Sequence, residues 1–127
     1  ENRRMNTLSG GERQIVYMEA ALAQGSPIML IDEPATFLDP GHEAEITGVL
    51  RKIRVETGVT IIAVTHDINN AALESDRVAI LRHGSLTFLG SARDIMSNEV
   101  LEPVYGKSFT FVRHPVTGER VIVPDYN

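Results

Sequence analysis

The 127-residue chain is about one domain's worth of sequence, and its 43% hydrophobic content is enough for a packed core. Twelve basic against seventeen acidic residues give a net charge of −5, which argues against a broad nucleic-acid footprint and leaves room only for a local basic patch. The absence of cysteine excludes a disulfide framework and any thiolate metal site. His42, His66, His83 and His114 lack HExxH-type spacing, so a zinc site built on histidine alone is not expected. The longest apolar runs, 28–31 and 59–64, fall far short of the roughly 20 residues of a membrane span. The polar start Glu1-Asn2-Arg3-Arg4 is not that of a signal peptide, and the missing initiator Met leads us to expect a fragment.

In chain order, residues 1–7 are polar and irregular. A helix is expected from Leu8-Ser9-Gly10-Gly11-Glu12-Arg13-Gln14 onward, with apolar positions Ile15, Met18 and Leu22 and a stop at Gly25 and Pro27. Ser9 and Glu12 form a capping box. Two glycines in the first turn cost helix stability, about 1 kcal/mol each relative to alanine, and make sense where an anion approaches bare N–H groups. Residues 28–31 read as a fully buried parallel strand bounded by Pro27 and Pro34 and ending in Asp32-Glu33. Asp39-Pro40 then reads as an N-cap followed by proline at the first helical position, the helix running to about Thr57 with a stripe at Ile46, Val49, Leu50 and Ile53 and Gly58 beyond its end. A second buried strand, 59–64, ends at Thr65-His66-Asp67. A short helix at 68–74 follows, then a hairpin of strands 77–81 and 85–89 turning at His83-Gly84. A helical region at 91–104 is expected to break at Pro103. The tail reads as a hairpin of 108–112 with 121–123, with Tyr105 and Phe109 covering one side of the core and His114 in the turn.

The chemistry is expected at the end of the first strand, because in open α/β sheets ligands sit beyond the carboxyl ends of the strands. Two adjacent carboxylates are tolerated if one holds a divalent cation while the other orients or deprotonates a water. The alternative is an acidic turn closing a strand, and the pattern alone weighs the two about equally.

The sequence LSGGERQ, a strand ending in Asp32-Glu33, then Leu38-Asp39, and a strand ending in His66 together resemble the ATP-binding cassette (ABC) ATPases over residues 8 to about 90. The resemblance implies an α/β fold, a partial P-loop NTPase (RecA-like) core of parallel strands flanked by helices and followed by β-hairpins. It divides the chain into a signature helix region (1–25), a core (26–90) and a tail (91–127), all within the C-terminal part of one ATPase domain. It implies ATP and Mg²⁺ as ligands. Ser9, Gly10 and Gly11 would bind the γ-phosphate of ATP held by the opposite subunit of a head-to-tail dimer, and Asp32 would hold Mg²⁺ largely through water. Glu33 would polarise the attacking water, His66 would contact the γ-phosphate, and Asp39 would cross the dimer interface. Such roles suit phosphoryl transfer, which needs positioning and charge stabilisation. Ala35 and Glu19 stand where the family often has Thr or Ser and Arg, at positions not expected to touch phosphate. No G-x-x-x-x-G-K-[ST] occurs in the chain, so the phosphate-cradling P-loop is absent and the chain alone is expected to be inactive.

Thr36-Phe37-Leu38-Asp39, residues 68–72, Val104-Tyr105-Gly106 and Val112-Arg113-His114-Pro115 narrow the resemblance to importer ATPases for iron-siderophore, haem and cobalamin uptake. This implies a subunit on the cytoplasmic face of the cell membrane, paired with a second ATPase subunit, docked on permease subunits and served by an extracytoplasmic substrate-binding protein. Nucleic acid is not an expected partner. One rival is a DNA-repair or chromosome ATPase of the SMC type, against which stand the absence of heptads and of excess positive charge. A second rival is a non-catalytic interaction module. Exposed sheet edges and apolar surface are expected to favour self-association.

Overall fold

The computed structural model describes residues 10–125. The chain divides into two compact units, 1–66 and 67–127. Among the described residues no helix is long and apolar enough to cross a membrane.

The first unit holds helix α1 (Gly10–Ala23), strand β1 (Ile28–Asp32), helix α2 (Pro40–Thr57) and strand β2 (Thr60–Val64). The two strands are parallel, in a register that pairs Ile28 with Thr60 and Asp32 with Val64. They are joined by α2, as a parallel pair requires. Asp39 caps α2 by accepting from the Gly41 and His42 N–H groups, with Pro40 at the first helical position, and Gly58 ends the helix at φ 68°. Only glycine enters that conformation without steric cost. Met18, Met29, Ile31, Ile46, Ile53 and Val59 form the buried core, where α1 and α2 pack on one face of the strands.

The expectation of fully buried strands is corrected here. Met29 and Ile31 are buried, but their neighbours alternate outward, and Leu30 is 75% exposed with Ile28, Ile62 and Val64 also in solvent. Both faces of the pair are apolar in sequence, yet α1 and α2 cover only one of them, and no other described element of this unit lies over the second.

The second unit holds α3 (Ile68–Glu74), the antiparallel pair β3 (Arg77–Arg82) and β4 (Ser85–Ser91), a 3-10 turn (Ala92–Ile95), α4 (Asn98–Tyr105) and the antiparallel pair β5 (Thr110–Arg113) and β6 (Arg120–Val123). Two expectations change. The region 91–104 divides into the 3-10 turn and α4, and Pro103 lies inside α4 instead of breaking it. Proline there forfeits one bond to the Glu99 carbonyl, but the helix ends two residues later at Tyr105, before Gly106 at φ 73°, so few bonds are at stake. Tyr105 and Phe109 stack edge to face at 5.5 Å, but Tyr105 is about half exposed, so the pair closes the α4–β5 connection and does not cover a core. His114 is a turn residue as expected, its Nδ1 accepting from the Val116 and Thr117 N–H groups.

Candidate functional site

The parallel register places the carboxyl ends of β1 and β2 side by side, so residues more than thirty apart in sequence share one edge of the first unit. Asp32, the last residue of β1, is exposed, and its carboxylate has no partner among the described residues. Glu33 continues the ladder by donating its N–H to the Val64 carbonyl at 2.8 Å, then turns sharply at φ 48°. A non-glycine residue pays conformational energy in this left-handed region, a cost that recurs at functional sites.

The turn brings the Glu33 carboxylate under two donors. The Thr36 hydroxyl donates to Oε2 at 2.6 Å, and His66 Nδ1 lies 3.1 Å from Oε2 and 3.2 Å from Oε1. A carboxylate only accepts, so His66 Nδ1 carries the proton in this contact. The Thr36 hydrogen bond, followed by that of His66, holds the Glu33 carboxyl below the usual carboxylate range. The His66 side chain is 78% exposed, and its Nε2 is the nitrogen left for a ligand.

A second constellation lies at the start of α2. Asp39 Oδ1 caps the helix while Oδ2 meets His42 Nδ1 at 2.6 Å. The pairing with His42 lowers the Asp39 carboxyl, and the same contact raises the His42 imidazole. The ring of His42 also abuts α1. A methyl group on Gly11 would lie 2.8 Å from His42 Cδ2, closer than packed carbons approach, whereas one on exposed Gly10 would lie 3.5 Å from Leu38 Cδ2 in ordinary contact. Gly11 is therefore explained by the approach of α1 to α2, a packing reason beside the anion reason read from the sequence. Ser9, and with it the capping box, lies outside the described residues. Phe37, between the two constellations, stands fully exposed at φ 66°.

Among the described residues no three histidine or carboxylate groups converge as a closed metal site. Mg²⁺ does not require one. It is held through one or two carboxylates, with waters and substrate phosphates completing its octahedron. The unpartnered Asp32 carboxylate beside the engaged Glu33 fits that mode of binding.

No protein-family profile matches the chain. It is 37% identical over 120 residues to the ferric enterobactin transport ATP-binding protein FepC of Escherichia coli, covering 94% of this chain and 44% of FepC. It is 41% identical over 106 residues to the petrobactin import ATP-binding protein FpuC of Bacillus anthracis, covering 84% of this chain and 39% of FpuC. The chain is homologous to the ATP-binding subunits of ABC importers. It spans less than half the length of these curated relatives. Among solved ABC proteins, a metal-chelate type ABC transporter in an inward-facing conformation shares the fold at a TM-score of 0.86, with 23% identity, over 98% of this chain and 50% of that one. The ATP-binding cassette MJ0796, a dimer bound to ADP and Pi, superimposes at a TM-score of 0.61 with 37% identity, over 72% of this chain and 39% of that one. The α/β class with parallel strands and flanking helices is thus that of the ABC ATPases.

Two residues of the site do not stand out in this ABC-like sequence. Thr36 is marked there only by resemblance, and His42 only as one histidine among four. Their signals are local: Glu33 and Thr36 span a four-residue turn, and Asp39 and His42 stand at the N-cap and third positions of a helix, where side chains reach one another.

Proposed function

We propose that the chain is part of an ATP-binding subunit of an ABC importer that couples ATP hydrolysis to uptake of an iron-siderophore, haem, cobalamin or similar metal chelate. The observation that carries this reading is the meeting of Glu33 and His66 at the ends of two parallel strands, beside the unpartnered Asp32. In this reading the segment forms the C-terminal part of one ATPase domain, and the protein containing it works on the cytoplasmic face of the membrane. Its partners are a second ATPase subunit arranged head to tail, permease subunits and an extracytoplasmic substrate-binding protein. The names of the relatives, importers of ferric enterobactin and petrobactin, support the substrate class.

Each residue has a task. Asp32 would hold Mg²⁺, which would supply charge neutralisation at the phosphates. Glu33, kept ionised by Thr36 and His66, accepts a hydrogen bond from the attacking water and orients it. His66 turns its free ring edge to the γ-phosphate. Ser9, Gly10 and Gly11 bind the γ-phosphate of the nucleotide on the partner subunit through N–H and hydroxyl donors. Asp39 lies toward the subunit interface. Since the 127 residues contain no G-x-x-x-x-G-K-[ST], the isolated chain neither binds ATP tightly nor turns it over.

The test compares ATP hydrolysis by the isolated chain and by the complete subunit with its permease. The complete protein should hydrolyse ATP and lose turnover by about 10²–10³-fold on Glu33→Gln, in the range of other transition-state contacts. The chain alone should be silent. Turnover by the isolated chain that Glu33→Gln abolishes would overturn the assignment of inactivity, and DNA binding in place of permease binding would favour the SMC alternative.

A further inference from the structure

The His42 ring is fixed from two sides by unlike contacts. On one side Nδ1 is bonded to the Asp39 carboxylate at 2.6 Å, at the end of the loop that begins at Glu33. On the other, the edge from Cβ through Cγ to Cδ2 lies against Gly11 so closely that an added methyl would sit 3.4, 3.3 and 2.8 Å from these atoms. Gly11 is buried in the first turn of α1, next to N–H groups that have no partner within the helix.

We propose that His42 is a positioning residue that ties the amino-terminal turn of α1 to the loop ending at Asp39, so that one imidazole sets both segments. This rests on the ATPase reading, in which both segments face nucleotide. Gly10 and Gly11 carry no side chains with which to fix their own position, and the loop carries the exposed, strained Phe37. A ring held at one edge by a charge-assisted hydrogen bond and at the other by backbone cannot shift without moving one of them. The charges around it act in one direction: Asp39 most strongly, then Glu45 of α2 and Glu12 of α1, all favour the imidazolium.

The test follows two signals. In the 127-residue chain, the Gly11 amide and the His42 ring should titrate with one shared midpoint above the ordinary imidazole value by NMR. Asp39→Asn should lower that midpoint for both, and His42→Gln should abolish the titration at Gly11. A Gly11 amide that ignores the His42 midpoint, or a midpoint unmoved by Asp39→Asn, would overturn the proposal. In the complete protein, His42→Ala should lower kcat about tenfold with a smaller change in KM, as expected when geometry and not affinity is lost. His42→Gln, whose amide can still donate to Asp39, should recover most of it. Equal losses in the two variants would count against positioning. If the unaltered complete protein shows no ATP hydrolysis, the ATPase reading fails by itself, while the amide titration still decides the His42 contact.

Discussion

The Thr36 hydroxyl and the Glu33 carboxylate are 2.6 Å apart across a turn that Glu33 opens in a left-handed conformation. The Thr36 hydrogen bond is the largest single influence lowering this carboxyl, and His66 adds a hydrogen bond and its charge. Replacing Thr36 by Val, or His66 by Ala, should therefore each raise the Glu33 pKa. Carboxyl-carbon NMR titration of the two variants checks this, and a Glu33 pKa unmoved by either change would show that the contact does not hold the carboxylate.

The Asp39–His42 pair gives the first unit a defined pH window. The His42 pKa is raised by folding, so its contribution is full below its ordinary 6.5 and is lost as pH rises through the folded value. The Asp39 pKa is lowered, so its contribution is present above 3.8 and is lost as pH falls through the folded value. Asn caps a helix nearly as well as Asp, so Asp39→Asn removes the ion pair and keeps the cap. Urea unfolding should separate the variant from the unaltered chain more at about pH 5.5 than at about pH 9.

Two glycines of one helix should respond to alanine in opposite directions. Gly48 lies on the exposed side of α2 with open space around an added Cβ, so Gly48→Ala should stabilise by about 0.5–1 kcal/mol. Gly58 ends the same helix at φ 68°, and Gly58→Ala should cost about 1 kcal/mol. Thermal unfolding midpoints of the two variants provide the check.

The two faces of the β1–β2 pair should also part company. Ile46 packs into the core at 1% exposure, and Ile46→Ala should destabilise by about 2–5 kcal/mol. Leu30, on the opposite face, should tolerate Ser with little loss of stability. The same change should reduce self-association in sedimentation velocity, because Leu30 with Ile28, Ile62 and Val64 forms an exposed apolar patch.

What could be read from the sequence was mostly local. The N-cap at Asp39, the proline after it and the left-handed Gly58 follow from backbone chemistry within a few residues, and the helical stripe through Ile46 and Ile53 follows from periodicity. Asp32, Glu33 and His66 were legible as strand ends, and the parallel register then brought two of them into contact. Burial of Leu30 was not legible, because an apolar strand face reports what it can accept and not which element covers it. Pro103 misled for a related reason: it disfavours a helix, but α4 has too few turns beyond it for one lost bond to end it. Thr36 was hidden because its partner depends on the sign of φ at Glu33, which no residue type at that position announces.

That sign of φ sets fold and chemistry at odds at position 33. Glycine would relax the backbone there, yet it would remove the carboxylate that Thr36 and His66 hold, so the sequence most comfortable in this turn is one that has lost its acid. Selection for thermal robustness alone therefore works against the acid at residue 33, and a stabilised variant found by such a screen should be sequenced at that codon before its activity is interpreted.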